Sequence, residues 1–260
     1  MRSIAFINQK GGVGKTTSTA NVGACLAALG KKVLLIDLDP QANLSIHFGV
    51  NAEGKDLSIY QIMCGKKKVS EVLTKTAVSG LDIIPSDIDL ASAEVELVNT
   101  VGRETIVKFY IGEMLNMYDY VLIDCPPSLG LLTLNALTVA NEIFIPVQTE
   151  FFALQGVSKL IQTFDIIKQR LNSSLEITGI IACMYDSRTK LGQAVLDKIK
   201  EYFEDKVFAT NIRKNIKLSE STSHGMPITT YAPDSNGAQD YEALAKEIIA
   251  QEKKHLKGAA

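Results

Sequence analysis

Short apolar runs alternate with longer amphipathic stretches along this chain of 260 residues. The apolar runs are continuous instead of alternating in polarity: SIAFIN (3–8), KVLLIDLD (32–39), LDIIPSD (81–87), DYVLIDCPP (119–127), EIFIPVQ (142–148) and EITGIIACMYD (176–186). A strand that is covered on both faces, as in a parallel sheet, is typically apolar at every position. The six runs therefore predict six buried strands.

Helices are predicted in the intervals between these strands. One should begin at Thr16, soon after the first run, and end at about Leu29. Apolar side chains at three- and four-residue spacing predict two more: Val157, Leu160, Ile161, Phe164, Ile167 and Leu171 in one, and Tyr241, Leu244, Ala245, Ile248 and Ile249 in the other. The alternation of strands and helices predicts right-handed βαβ units. These units build an α/β fold with a doubly wound, mostly parallel sheet flanked by helices.

The chain shows no sign of a division into domains. No repeat, low-complexity linker or change of composition interrupts it, so we predict a single domain over residues 1–260. Residues 51–73 are the most irregular and predict an excursion on one side of the sheet. The polar, lysine-rich tail QEKKHLKGAA (251–260) is expected to fray.

Composition and charge are those of an ordinary globular protein. With 46% apolar residues, 22% charged residues and a net charge of −2, no overall positive field favours nucleic acid, so any DNA contact must come from a local patch. No signal peptide and no apolar stretch of membrane-spanning length is visible, so we expect a cytoplasmic protein. The chain has four widely separated cysteines, Cys25, Cys64, Cys125 and Cys183. Their spacing predicts apolar core residues in a reducing compartment, not disulfides or metal ligands.

The stretch NQKGGVGKTTST (8–19) predicts a phosphate-binding loop with an unusual spelling. In the pattern G-x-x-x-x-G-K-[ST] the first glycine stands five residues before the Gly-Lys pair, where this chain has Gln9. The stretch follows a predicted strand and opens a helix, so its backbone N–H groups can bind phosphates, Lys15 can reach them, and Thr16 can bind Mg²⁺. A glycine-rich turn with a chance Gly-Lys-Thr is the alternative. The nucleotide-binding candidates in the loop are Lys10, Gly11, Gly12, Val13, Gly14, Lys15, Thr16 and Thr17.

Three aspartates end predicted strands at the edge where a parallel sheet binds its ligands. Asp124 fits a Walker-B role, binding Mg²⁺ through water, and Asp37 could assist it. Asp39 could orient an attacking water. Helix capping or turn formation is the alternative for any one of them.

The stretches KGGVGKTT, LLIDLDPQ and YVLIDCPPS together resemble the deviant-Walker-A ATPases of the MinD/ParA superfamily. Three later segments narrow the resemblance to the ParA/Soj partition proteins, and the likeness runs nearly end to end. They are YDSRTKLGQAVLDKIKEYF (185–203), IRKNIKLSESTSHGMPI (212–228) and YAPDSNGAQDYEALAKEI (231–248). The resemblance implies a P-loop fold with a deviant Walker A motif, ATP and Mg²⁺ as cofactors, and an ATPase with weak intrinsic activity.

The resemblance also implies a role for the second lysine of the loop, Lys10. In this family the matching lysine reaches the phosphates of the partner's ATP in a nucleotide-sandwich dimer, where a cation supplied in trans stabilises the transferring phosphoryl group. Lys10 and Gly11 are therefore expected at the interface of an ATP-bound homodimer. A solvated loop lysine is the alternative reading of Lys10.

The remaining site residues follow from the same likeness. Lys10, Lys15 and Asp39 match positions that serve hydrolysis. Thr16, Asp37 and Asp124 match the magnesium environment. Met184 and Ile212 fall near segments that usually line the adenine pocket.

Partition ATPases of this branch bind double-stranded DNA without sequence preference, and a ParB/Spo0J-like centromere-binding protein stimulates their hydrolysis. Such DNA binding neutralises phosphates with lysine and arginine. Arg188 and Lys217 match family positions that contact DNA. Taken alone, each of these residues would be a solvated surface charge. The candidate cations are Arg188, Lys190, Arg213, Lys214 and Lys217.

The first strand is predicted at about residue 3, which suits the small chromosome-type form without an operator-binding domain. We expect a nucleoid-associated protein with no stable membrane association. A MinD-like membrane-cycling ATPase is an alternative, disfavoured because the apolar stripe ends at Ile249 and only Leu256 follows. A ParA-like positioning ATPase for another cargo remains open. The intact Lys15, Thr16 and Asp39 argue against a non-hydrolysing nucleotide-binding module.

Overall fold

In this computed structural model, which describes residues 1–150 and 157–258, seven strands form one sheet. They are β1 (Arg2–Phe6), β2 (Val33–Asp37), β3 (Thr74–Lys75), β4 (Leu81–Ile84), β5 (Tyr120–Asp124), β6 (Glu142–Gln148) and β7 (Glu176–Cys183). The order across the sheet is β3-β4-β2-β5-β1-β6-β7, and all neighbours are parallel except β3 with β4. The predicted α/β fold with a mostly parallel sheet is confirmed, and all six predicted strands form. The short antiparallel β3 is an addition that the sequence did not predict.

Helices fill the intervals between the strands. In chain order they are α1 (Lys15–Ala28), α2 (Asn43–His47), α3 (Ile59–Met63), α4 (Val69–Val72), α5 (Leu90–Glu96), α6 (Ile106–Leu115), α7 (Leu131–Val139), α8 (Val157–Arg170), α9 (Lys190–Phe203), α10 (Ile216–Ser223), α11 (Ile228–Tyr231) and α12 (Asn236–Gly258). Single 3₁₀ turns lie at Arg103–Thr105 and Glu204–Lys206. The stretch 51–73 is therefore more regular than predicted, because it contains α3 and α4, and α3 is buried along its length.

Apolar clusters cover both faces of the sheet, which explains why its strands are apolar at successive positions. In β2, Leu34 and Ile36 belong to the cluster beneath α6, α7 and α8, whereas Val33 and Leu35 belong to the cluster beneath α1 and α12. All four side chains are fully buried. The continuous runs in the sequence thus reflect a sheet between two helical layers.

The amphipathic helices α8 and α12 bury most of their predicted apolar faces. In α8, Leu160, Phe164 and Ile167 are buried, whereas Leu171, which its spacing placed on the same face, lies beyond the end of the helix and is 41% exposed. In α12 the predicted face packs on α1, with Tyr241, Leu244, Ala245 and Ile248 buried. The side chains of Val157 and Leu256 lie outside the described residues.

Helix α12 runs into the polar tail and continues to Gly258, and the fraying expected from residue 251 stays a prediction. Gln251 Nε2 donates to the Thr178 carbonyl at 2.8 Å, and Gln251 Oε1 accepts from Arg2 at 2.9 Å. The Tyr120 hydroxyl donates to Glu252 at 2.8 Å. These bonds attach the polar end of α12 to the amino-terminal edge of the sheet. Residues 259 and 260 lie outside the described part of the chain.

The topology brings three separate parts of the chain to the opposite, carboxyl-terminal edge. Because β5 lies between β1 and β2, the loop after β1 and the ends of β2 and β5 meet there. Asp124 is in register with Phe6 on one side and with Asp37 on the other. Across the described residues, no helix is both long enough and apolar enough to span a lipid bilayer.

Candidate nucleotide-binding site

The loop between β1 and α1 has the backbone that its glycines predict. Gly12 and Gly14 adopt φ angles of 73° and 95°, in the left-handed region that favours glycine. Asn8 anchors the loop, because its Nδ2 donates to the Pro146 carbonyl at 2.7 Å and its Oδ1 accepts from the Lys10 N–H at 3.0 Å. The loop is therefore held against β6 at one end and leads into α1 at the other.

Lys15 and Thr16 begin α1 and point into the edge of the sheet. Lys15 is 7% exposed, and its Nζ lies 3.5 Å from the Lys10 carbonyl oxygen. Thr16 Oγ1 donates to Asp124 Oδ2 at 2.6 Å. A buried ammonium, a hydroxyl and a carboxylate thus meet at the N-terminus of a helix, where the helix dipole adds partial positive charge.

Asp37 and Asp124 form a buried acidic pair on neighbouring strands. Burial raises the pKa of Asp37 to about 7. Burial, followed by repulsion from Asp37, raises the pKa of Asp124 well above its usual range. Asp124 Oδ1 is buried and has no hydrogen-bond partner among the described residues. An added cation would relieve both the repulsion and the missing contact.

The donors at this position fit Mg²⁺. Carboxylate and hydroxyl oxygens are its preferred ligands, and in nucleotide sites it usually takes only one or two carboxylates, with phosphates and waters completing the shell. Among the side chains that the structure describes, no group of three His, Cys, Asp or Glu could hold a metal unaided. Thr16, Asp37 and Asp124 would therefore hold Mg²⁺ only together with a bound phosphate group.

Asp39 lies beside the acidic pair and forms a turn. Its Oδ1 accepts from the Gln41 N–H at 3.0 Å, and its own N–H donates to Asp37 Oδ1 at 3.2 Å. Asp39 is 8% exposed. The turn-forming contact named as an alternative is therefore present. It holds the carboxylate two residues beyond the end of β2, close enough to Asp124 for its charge to help raise the pKa of that group.

A cavity of about 190 Å³ opens next to the loop, on the side of β7. Met184 and Ile212, the two residues expected near the adenine, both line it, together with Gly14 and Thr17 of the loop. Met184 has a φ of 54°, an uncommon conformation for a residue other than glycine. The cavity has the position that a base would need if the phosphates of the same nucleotide occupied the loop.

Comparison with known proteins decides the family. Residues 1–177 match a family model described as an AAA domain. The chain is 50% identical over 251 residues to the chromosome-partitioning ATPase Soj of Treponema pallidum, covering 96% of this chain and 98% of that protein. It is 48% identical over 247 residues to the sporulation initiation inhibitor protein Soj of Bacillus subtilis, and this match covers 95% of this chain and 98% of that protein. The chain belongs to the ParA/Soj family.

Members of the ParA/Soj family are P-loop ATPases, and a solved structure agrees with that fold. A Mycobacterium smegmatis protein described as cobyrinic acid a,c-diamide synthase, with bound ADP and magnesium, has a TM-score of 0.85 and 35% identity, covering 97% of this chain and 96% of that one. ADP and magnesium are the ligands of that protein. Its likeness confirms the predicted P-loop NTPase-like class.

In this ParA/Soj protein the second lysine of the loop, Lys10, contacts the end of β6 and the residue two positions beyond it. Lys10 Nζ lies 3.0 Å from Glu150 Oε2 and 3.2 Å from Gln148 Oε1, and the side chain is 48% exposed. A Cβ built at Gly11 would have no atom of the described residues within 4 Å. Both residues therefore lie on an open surface at the mouth of the site.

The DNA-binding candidates occupy two adjoining segments, residues 184–190 and 211–218. The Lys214 N–H donates to the Tyr185 carbonyl at 3.1 Å, which joins the segments. Arg188 is 86% exposed in its side chain and pairs with Asp186 at 2.7 Å, lowering the pKa of that carboxyl to about 2. Lys190 and Lys214 are exposed as well.

The other two candidate cations are held by carboxylates. Lys217 pairs with Glu220 at 2.8 Å and remains half exposed. Arg213 is paired with Asp240 of α12 and lines the cavity beside the loop. Four of the five cations are thus presented to solvent, whereas Arg213, 40% exposed in its side chain, is held against α12 beside the cavity.

Sequence reasoning missed two residues of the site, Asn8 and Ser45. The Ser45 N–H and hydroxyl both donate to Asp37 Oδ2, at 2.9 and 2.7 Å, and the Ser86 N–H donates to Ser45 Oγ at 3.0 Å. Nothing in the local pattern marks Ser45, because its partners are brought to it only when α2 turns back over the end of β2.

Proposed function

We propose that this ParA/Soj protein is an ATP-dependent DNA-partition ATPase that serves chromosome or plasmid segregation. ATP binding drives sandwich dimerisation and DNA binding without sequence preference. Hydrolysis is slow in the isolated protein, is stimulated by a ParB-like centromere-binding protein, and resets the cycle. The acidic pair carries this proposal, because the unpartnered Asp124 oxygen lies where Thr16 and a phosphate-bound cation would meet.

The phosphates of ATP bind along the loop. Backbone N–H groups, the N-terminus of α1 and the Lys15 ammonium supply positive charge there, and water is excluded because Lys15 and Asp124 are buried. Mg²⁺, when bound through Thr16, Asp37 and Asp124, neutralises charge on the phosphoryl oxygens. The base occupies the cavity that Met184 and Ile212 line.

Hydrolysis converts ATP and water to ADP and phosphate. Asp39 orients the attacking water, since its carboxylate is fixed by the turn to Gln41 at the mouth of the loop. Lys15 stabilises the charge that develops on the transferring phosphoryl group. The reaction needs little else from the protein, because phosphoryl transfer depends mainly on positioning and electrostatic stabilisation.

Lys10 completes the site of a second copy. Among the described residues the exposed ammonium contacts Gln148 and Glu150, and exposed ion pairs of this kind contribute little stability, so Lys10 is easily released to a more strongly charged partner. A triphosphate on a facing protomer is such a partner. The absence of a side chain at Gly11 allows the two loops to approach closely.

DNA binding uses the exposed cations of residues 184–190 and 211–218, namely Arg188, Lys190, Lys214 and Lys217. Their contacts go to backbone phosphates, so they carry no sequence preference. A dimer joins two such patches and binds far more tightly than one patch alone. The protein would then reside on the nucleoid in the cytoplasm, without stable membrane association.

A single-turnover ATPase assay on two variants tests the proposed chemistry. Asp39→Ala should bind Mg²⁺ and ATP normally but hydrolyse it about 10²-fold more slowly, because the water loses its orienting group. Lys15→Ala should instead weaken nucleotide binding itself. Asp205→Ala removes an exposed aspartate and is the matched control. Wild-type turnover in Asp39→Ala would remove that residue from the mechanism, and no hydrolysis by the wild type with DNA present would overturn the function.

A further inference from the structure

Arg213 differs from the other cations of its segment because it is bound inward by α12. Its Nη2 lies 2.6 Å from Asp240 Oδ1, and its Nε lies 3.0 Å from both Asp240 oxygens. The backbone N–H of Arg213 donates to Asp240 Oδ2 at 2.9 Å. A single carboxylate, 10% exposed in its side chain, thus holds both the side chain and the main chain of one residue. Planar guanidinium-carboxylate pairs of this kind impose a defined geometry.

The segment that Asp240 holds is a wall of the cavity proposed for the base. Residues 212–216 and 218–219 line the cavity, and so does Tyr241, which follows Asp240 in α12. Tyr241 is itself fixed, because its hydroxyl lies 3.1 Å from Ser18 Oγ in α1. Two successive residues of α12 therefore serve the cavity: Tyr241 lines it, and Asp240 holds the wall formed by residues 212–216 and 218–219.

Backbone bonds connect this wall to the remaining sides of the cavity. The Ile212 N–H donates to the Ala182 carbonyl at 2.8 Å, and the Tyr185 N–H donates to the Ile212 carbonyl at 2.9 Å. The turn that positions Met184 is thereby hydrogen-bonded to the wall. Arg213 lies between the two hydrogen bonds that pair this wall with Tyr185, and its own N–H points away from that pairing and donates to Asp240.

We propose that the Arg213–Asp240 ion pair is a positioning device for the nucleotide base. It keeps residues 211–218 packed against Met184 and Tyr241, so that the cavity is already formed when a nucleotide arrives. This inference rests on the proposed function, because it assumes that the ligand is ATP. A preformed wall saves the cost of ordering the segment upon binding, and that saving appears in affinity.

Among the described residues, no hydrogen bond or ion pair joins the phosphate-binding loop to the Arg213–Asp240 pair. Lys15, Thr16 and the loop amides bind phosphate from the other side of Gly14, through the N-terminus of α1. Loss of the ion pair should therefore weaken only the part of the affinity that depends on the base. A base-free polyphosphate measures the phosphate part separately.

The test compares MgATP with magnesium tripolyphosphate on purified full-length protein, by calorimetry for ATP and by competition for tripolyphosphate. Asp240→Asn keeps the size of the side chain and removes its charge. It should bind ATP about tenfold more weakly while its affinity for tripolyphosphate stays at the wild-type value. Arg213→Met keeps the apolar stem and should show the same split, and Arg213→Lys should recover part of the loss. Arg103→Ala is the control, because Arg103 is as exposed as Arg213 and pairs with a glutamate away from the cavity.

Each outcome decides the inference. A selective loss for ATP, shared by Asp240→Asn and Arg213→Met but absent from Arg103→Ala, supports it. Equal loss for both ligands would mean a general effect on the fold, and unchanged affinity would mean an inert surface pair; either overturns it. If Asp240→Asn does not fold, Arg213→Met decides alone, because Arg213 is half exposed. Failure of the wild type to bind ATP would instead refute the proposed function.

Discussion

Asp37 and Asp124 acquire their chemistry from burial and from each other, since both are fully buried on adjacent strands at the same level of the sheet. Two carboxylates in that position are difficult to ionise together without a cation.

Burial also shifts the pKa of His47, but downward, because it disfavours the charged form of a base. Burial lowers the pKa of His47 from 6.5 to about 4, its Nδ1 lies 3.0 Å from Thr222 Oγ1, and its Nε2 has no partner among the described residues.

The pH dependence of stability should carry the signature of His47. Because its pKa is lower in the folded state than in the unfolded chain, the unfolded state takes up the proton more readily. The stability that the buried, neutral His47 contributes is complete above about pH 6.5 and is lost as the pH falls toward 4. The difference in unfolding free energy between wild type and His47→Gln should therefore shift by about 3 kcal/mol across that range. Denaturant unfolding at several pH values measures it.

The control for this prediction is His224→Gln, which changes an exposed histidine, whereas His47 is buried. A constant free-energy difference between wild type and His47→Gln at all pH values would show that His47 does not titrate as its burial requires.

At the scale of elements, what the sequence predicts well is what a single strand and its following loop determine. Asp37 and Asp124 each stand at the carboxyl end of an apolar run, and Lys15 and Thr16 follow the loop after a third run, so the parallel sheet brings them to one edge. Contacts between distant elements could not be predicted. The bond from Arg213 to Asp240, like the attachment of Gln251 to Thr178, depends on how α12 packs, and no periodic pattern records that packing.

The pairing of residues 184–190 with 211–218 is such an element-scale contact, and it makes a DNA-binding prediction for Arg188. Replacing Arg188 by alanine should weaken binding about equally for unrelated DNA sequences, because its contact is to phosphate. The slope of log affinity against log salt should fall by about one counterion unit. Salt titrations with duplexes of different sequence measure both quantities.

Lys168→Ala provides the comparison for Arg188. Lys168 pairs with Glu176 at the start of β7, at the opposite edge of the sheet from the candidate patch. Its loss should leave the salt slope unchanged. An Arg188→Ala protein whose slope and affinity match the wild type would exclude Arg188 from the patch.

At the scale of the whole molecule, one edge of the sheet gathers all the proposed functions. The phosphate-binding loop, the acidic pair, the base cavity and the exposed cations all follow the carboxyl ends of strands, as ligand sites in open parallel sheets do. The opposite edge is closed by the polar contacts of α12. A second copy that bound ATP across Lys10 would have to approach this functional edge, which makes oligomeric state a readout of the site.

Dimerisation should depend on nucleotide and on Lys10. In an Asp39→Ala background, which preserves ATP, sedimentation should show a dimer with ATP and a monomer with ADP. Adding Lys10→Ala should abolish the dimer, because each sandwich loses two trans cation–phosphate contacts, one at each nucleotide. Monomeric ATP binding should survive, since Lys15 and the loop amides remain. Gly11→Val should also give an ATP-bound monomer, through steric obstruction instead of lost charge.

Lys75→Ala is the control for lost charge, because Lys75 lies exposed on the edge strand β3, away from the loop. It should dimerise as the Asp39→Ala parent does. DNA affinity should fall in both monomeric variants and persist in Lys75→Ala, because two patches joined in a dimer bind more tightly than either alone. If Lys10→Ala still dimerises with ATP, the contacts of Lys10 to Gln148 and Glu150 serve only its own loop, and the trans assignment fails.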